Sequence, residues 1–247
     1  MRVEIWADIA CPWCYIGKAR FEKGLAAFAH RDEVEVVHRS FELDPNADGP
    51  GGEPVVRHLA EKYGLSPQEA QAAEARVAEA AHGEGLGYEL GRLTAGSTFG
   101  LHRLLHHAKE QGTAVHSALL DAFYRANFAD LLPLGDPETV VAVAVATGAG
   151  LDEAEVRRVL ADPDAYAAQV RADEREAASL GATGVPFFVL DRRFGVSGGQ
   201  PAEVFTRALE QAYAAAGGLV QVAGAAAGHE DAPVCADGSC EVPAHRH

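Results

Sequence analysis

Cys11 and Cys14 bracket a Pro12-Trp13 pair in "IACPWCYIG" (9–17), directly behind a short apolar run. Two cysteines at this spacing cycle between dithiol and disulfide, supply half of a metal site, or pack as inert thiols. If a helix starts here, the two sulfurs lie on neighbouring turns and the first sits at the helix N-terminus. Unpaired N–H groups and the helix dipole stabilise a thiolate there. In known C-x-x-C proteins this lowers the first pKa to roughly 3.5–7. Pro12 falls near the first helical position, where its missing N–H costs nothing. Cys11 is then the exposed nucleophile, and Cys14, one turn in and more buried, is the resolving thiol. Zinc would need two further ligands. None lies nearby in sequence, although the C-terminal tail offers His229, Cys235, Cys240, His245 and His247. The site is therefore expected to hold no metal.

Other residues take weaker roles. Asp8 is read first as an organiser or cap of the helix-start loop and second as a proton carrier for Cys14. Trp13 is expected as a partly exposed substrate contact that also tunes the redox potential. His102, His106 and His107 share one helix pattern and read mainly as solvated or core histidines. Glu42 and His38 are placed near Cys14 as proton carriers of unassigned face. "CADGSC" (235–240) wraps Cys235 and Cys240 around an Asp-Gly turn that brings their sulfurs within bonding range. A second redox pair, a metal-binding arm and a passive tail are the alternatives there.

The elements that must position these groups follow from hydrophobic pattern. "VEIWADI" (3–9) and "VEVVHRSFEL" (34–43) read as strands joined by a helix from Pro12 to about His30, a parallel βαβ unit. A Gly/Pro-rich break (44–54) leads into a helical region over 55–181, with a capping box at Ser66-Pro67-Gln68-Glu69. Helical patterns follow at 98–112, 116–128, 137–148, 152–160 and 163–181. "VPFFVLD" (185–191) and "RFGVSG" (193–198) form a hairpin, and 201–216 is the closing helix. The order is β-α-β, a helical insert, then β-β-α. The expected division is 1–54 with 182–216 as one domain, 55–181 as a helical insertion, and 217–247 as a flexible tail.

Net charge is -15, from 36 acidic against 21 basic residues. Such a surface repels nucleic acid and anionic membranes, and no apolar run is long enough to span a bilayer. Met1 runs straight into a strand pattern with no basic n-region and apolar h-region, so a cytoplasmic protein is expected. Cytosolic cysteine pairs are usually catalytic or sensing rather than structural.

"WADIACPWCYIGKARFEKGL" resembles the opening of the DsbA-like branch of the thioredoxin superfamily. The match is closest to its FrnE-type group, which is related to 2-hydroxychromene-2-carboxylate isomerases and kappa-class glutathione transferases. "GATGVPFFVL" (181–190), "FGVSGGQPAEVF" (194–205) and "STFGLHRLLHHAKEQG" (97–112) resemble further family segments, and the likeness runs over about 1–215. It implies a thioredoxin-like α/β fold split by an α-helical insertion. It also implies a cis peptide before Pro186 and a Val185–Pro186 loop laid against Cys11, where Val185 pairs with an extended substrate. His102 matches the family helix and is assigned to substrate binding. Ser97, Gly100 and Leu101 depart from the family pattern, which weakens any transfer of isomerase chemistry. The implied activity is thiol-disulfide exchange or disulfide isomerisation on protein substrates. The alternative is a glutathione-dependent isomerase of small aromatic or polyketide intermediates. No bound cofactor is expected, with glutathione as optional reductant or co-substrate. Some branches of the family are homodimers.

Overall fold

A computed structural model describes residues 1–47 and 49–216. The expected tail and the Cys235/Cys240 pair lie outside the described residues. Strand β1 (Arg2–Ala7) leads into helix α1 (Pro12–Ala27), a 3-10 turn (Arg31–Glu33) and β2 (Glu35–Ser40). Seven helices follow: α2 (Val55–Tyr63), α3 (Pro67–Gly83), α4 (Phe99–Gln111), α5 (Thr113–Phe128), α6 (Pro137–Ala146), α7 (Glu153–Ala161) and α8 (Ala167–Ser179). Strands β3 (Phe187–Leu190) and β4 (Phe194–Ser197) and helix α9 (Ala202–Ala216) complete the described chain. The sheet order is β2-β1-β3-β4, with β1–β2 parallel and the other two pairings antiparallel. This is the expected thioredoxin-like α/β arrangement, with α2–α8 falling in the chain between β2 and β3.

Alternation along β1 builds two cores. Val3 and Ile5 meet Phe21 of α1, Phe28 just past its end, Phe188 and Leu190 of β3, and Phe205 and Leu209 of α9. Trp6, on the other face, meets Phe187, Val189 and Ala177. Each fully buried side chain of this size contributes about 1.5–3 kcal/mol. Glu4 shares the Trp6 face and is kept charged there by Arg39 and Arg192. In the β3–β4 turn, Asp191 and Arg192 both take positive φ (46° and 57°). Reciprocal bonds offset that strain: Arg2 N–H donates to Asp191 Oδ1 (2.6 Å) and Asp191 N–H to Arg2 O (2.8 Å).

Two sequence expectations shift. The last helix before β3 begins at Ala167 rather than 163, because Tyr166 takes a left-handed conformation (φ 60°) that an α-helix does not continue through. Helix α1 also ends at Ala27 rather than near His30, because Phe28 turns extended, and its buried side is not wholly apolar. That side includes Gly17, Lys18 and Gly24. Lys18 is satisfied by Glu22 (2.6 Å) and Asp121 (2.7 Å). The glycines let other backbone come close. A Cβ on Gly24 would stand 2.7 Å from Ala202 O and 2.8 Å from Phe205 Cβ. Gly24→Ala is therefore expected to cost about 1–3 kcal/mol by overpacking, a fall of several degrees in Tm for a chain this size. Gly83→Ala, with nothing within 4 Å of the added Cβ, is the control. Equal melting points for the two variants would reject the close α1–α9 contact.

Candidate active site

Helix α1 starts where the sequence places it. Cys11 is the N-cap in extended conformation (φ -88°, ψ 113°), Pro12 opens the first turn, and no side chain caps the helix. The N-terminal N–H groups are left to the Cys11 sulfur. Its thiol is held below the ordinary value, chiefly by a hydrogen bond from the Cys14 thiol and then by the Cys14 and Trp13 backbone, against burial and the Asp8 charge. Cys14 is pushed well up, first by burial and then by its bond to Cys11 and the Cys11 charge, although the Asp8 N–H donates to its Sγ (3.5 Å). Both are free thiols.

The sequence pictures Cys11 as exposed, yet its residue is only 4% accessible. The reason is the loop from the far end of the chain. Cys11 Sγ–H donates to Val185 O at 3.6 Å, and the Val185–Pro186 peptide is cis. Gly198 N–H donates to Pro186 O (2.8 Å), tying the loop to β4. A Cβ on Gly17 would lie 3.0 Å from Pro186 Cγ, so the small residue on α1 seats the proline ring.

Asp8 does not cap α1. Its Oδ1 accepts from Ala10 N–H (3.3 Å) and His102 Nε2 (3.2 Å), and its Oδ2 accepts from Leu43 N–H (2.6 Å). Burial pushes its carboxyl up, but His102, the Leu43 amide and Thr98 outweigh that and hold it below the usual carboxylate range. An ionised carboxylate only accepts, so the His102 proton must sit on Nε2. His102 is 1% exposed. The expected substrate contact therefore lies beneath the site and reaches it through Asp8. His107 bonds the Tyr166 hydroxyl (3.2 Å), and His106 faces Asp173 (3.1 Å). Glu42 turns to Arg171, and His38 stacks on His116 with centroids 5.4 Å apart. Burial holds His38 well below its ordinary value. The carboxylate joined by its own residue to Cys14 is Asp8.

Above the thiols opens a groove of about 800 Å³. Cys11, Trp13, Leu43, Tyr63, Leu93 and Val185 line it. Trp13, Tyr63 and Leu93 are 41%, 62% and 53% exposed, so the rim is apolar and open. The segments before α2 and before α4 are zipped together across it by Val55 N–H to Arg92 O (2.9 Å) and Thr94 N–H to Glu53 O (2.8 Å). Sequence reasoning missed Arg92 and Glu74 on this groove, since the only local signal is a charged residue in the Gly-flanked "LGYELGRLTAG". Among the described residues, no group of three or more His, Cys, Asp or Glu is arranged to hold a metal ion, and no helix is long and apolar enough to cross a membrane.

The chain matches the DSBA-like thioredoxin domain over residues 2–210. No curated protein matches it. It is similar to the probable DsbA oxidoreductase of Streptomyces coelicolor, at 59% identity over 99% of this chain and 100% of that one, with a TM-score of 0.82. A 2-hydroxychromene-2-carboxylate isomerase (14% identity, 87% and 95% covered, TM-score 0.62) shares the fold. So does the cytosolic disulfide reductase DsbM from Pseudomonas aeruginosa (18%, 87% and 100%, TM-score 0.56).

Proposed function

This chain belongs to the DSBA-like thioredoxin domain family, and from that premise we propose that it is a thiol-disulfide oxidoreductase and disulfide isomerase acting on proteins through a Cys11–Cys14 dithiol. The observation that carries the reading is two free thiols at one helix start, Cys11 at the N-cap under the Val185 carbonyl and Cys14 buried in the first turn, an arrangement that draws the Cys11 thiol down and pushes Cys14 up. Cys11 thiolate attacks one sulfur of a substrate disulfide, forming a mixed disulfide and releasing the other as thiolate. The extended substrate lies along the Val185 backbone as a short added strand. Bond formation at Cys11 removes the charge and hydrogen bond that hold the Cys14 proton, leaving burial as the main obstacle. Cys14 then loses its proton and attacks Cys11 Sγ. The Cys11–Cys14 bond closes, and the second substrate sulfur leaves to take up a proton. Asp8, on the groove wall beside Cys14, is the proposed proton acceptor.

The proposal needs no metal or nucleotide. Thiols such as glutathione restore the dithiol or serve as co-substrate, a role suggested by the DsbM structure solved with GSH. A cytoplasmic setting and a homodimer belong to the same proposal.

The reading is tested by titrating the reduced protein at 240 nm, where a thiolate absorbs. Cys11 is expected to ionise below about 8.5, the ordinary thiol value, and Cys14 above it. Two thiols titrating together near the ordinary value would overturn the assignment. A second reading, a glutathione-dependent isomerase of small aromatic or polyketide intermediates, draws on the groove of about 800 Å³, a size that suits small ligands. It leaves Cys14 idle.

A further inference from the structure

Arg92 lies between α3 and α4 on the floor of the same groove, and the dithiol chemistry does not use it. It is 6% exposed. Its guanidinium lies over the Tyr88 ring at 5.0 Å and the Phe128 ring at 4.7 Å, which fixes its position. Its Nε has no hydrogen-bond partner. The neighbouring carboxylate, Glu74 Oε1, stands 3.6 Å away, too far for a good hydrogen bond, and lacks a partner as well. Burial outweighs Arg92 and pushes the Glu74 carboxyl up, towards its neutral form. Arginine does not deprotonate in proteins, so the floor carries a positive charge that Glu74 compensates only in part. A buried cation left this way is costly unless something pairs with it. A planar fork clamped between rings is suited to receive a carboxylate. The site shares its groove with the reacting sulfur: Cys11, Tyr88 and Arg92 all line it, and Cys11 and Tyr88 belong to one buried cluster.

We propose that Arg92 binds a carboxylate carried by the thiol or disulfide substrate while Cys11 attacks its sulfur. This rests on the oxidoreductase reading above and narrows it to substrates with a carboxylate within reach of the thiols. The carboxylate comes from an acidic side chain or C-terminus of a peptide, or from a small thiol such as glutathione.

The test compares disulfides that differ in charge. Wild-type protein should reduce 3,3′-dithiodipropionate with a kcat/KM about 10- to 100-fold above that for its dimethyl ester or bis(2-hydroxyethyl) disulfide, as expected for a hydrogen-bonded charge. The gain should sit in KM. In Arg92→Gln the preference should collapse by that factor, and Arg92→Lys should recover part of it. Glutathione disulfide and a mixed-disulfide peptide with or without an acidic residue separate the two carboxylate sources. Equal efficiency on charged and uncharged disulfides in the wild type would overturn the proposal whether or not the variants fold. Calorimetric binding of S-methylglutathione and of an acidic S-methylcysteine peptide to wild type and Arg92→Gln needs no turnover. It tests Arg92 separately from the dithiol reading, and unchanged affinity of both ligands would reject the anchor.

Discussion

Cys14→Ser is expected to stop turnover while leaving Cys11 able to attack, so the variant should accumulate a stable mixed disulfide with its substrate. The serine hydroxyl still donates to Cys11 Sγ in place of the thiol, and the Cys14 and Trp13 backbone that helps hold the Cys11 thiolate is untouched. The nucleophile therefore survives, and only the resolving sulfur is gone. Turnover of protein disulfides should fall on the order of 10³-fold or more, the scale seen when a group acting as part of a unit is removed. Cys11→Ser should fall as far but trap nothing. The two are told apart by non-reducing gels and mass spectrometry of the adduct. The step that Cys14→Ser removes also has a pH signature. In wild type, collapse of a preformed mixed disulfide should speed up as pH rises towards the Cys14 value, because only the thiolate attacks. If Cys14→Ser kept full activity, the dithiol reading would fail and the small-molecule isomerase would take its place.

Asp8→Ala should produce a large loss of stability. Asp8 is 1% exposed and accepts from His102, Ala10 and Leu43. Its removal leaves the buried His102 Nε2–H and the half-buried Ala10 and Leu43 amides without an acceptor. A buried donor left unsatisfied costs about 1–3 kcal/mol, readable as a shift in urea midpoint at unchanged slope. The pH dependence gives an independent check. The folded pKa of Asp8 is depressed. Below the unfolded carboxylate value of about 3.9, the unfolded state binds the proton before the native state does. The stability Asp8 contributes is thus fully present above that value and is lost as pH falls through the folded one. Wild type should lose stability over this acid window, and Asp8→Ala should lose correspondingly less. Parallel acid profiles would show that Asp8 is not the carboxylate that the fold keeps charged.

Much of this was legible in the chain itself. The two cysteines, the proline at the helix start, the strand-helix-strand opening and the closing hairpin and helix all follow from local spacing. So does the Ser66 capping box, which the structure contains in full. What stayed hidden depends on long-range pairing. Asp8 and His102 are 94 residues apart in sequence, and no local pattern says that a histidine on a helix stripe will turn under a loop carboxylate. Gly17 and Gly24 read as weak points in a helix until Pro186 and α9 arrive to explain them. Arg92 and Glu74 look like ordinary surface charges in sequence, and only the fold, with Arg92 packed on the Tyr88 and Phe128 rings, shows that both are buried. The left-handed Tyr166 has no sequence mark that distinguishes it from its helical neighbours.

The contact between Cys11 and Val185 spans 174 residues, and this has a consequence for synthesis. The ribosome delivers both thiols among the first residues and the loop that covers them only in the final quarter of the described chain. A nascent chain that stops short of residue 185 carries the cysteines but lacks β3, the strand that pairs with β1. It also lacks the Val185 carbonyl to which the Cys11 thiol donates. Its Cys11 sulfur then lacks the loop that covers it in the finished fold. The cover over the site is acquired only when these distant segments meet, so an incomplete product carries the motif without its loop.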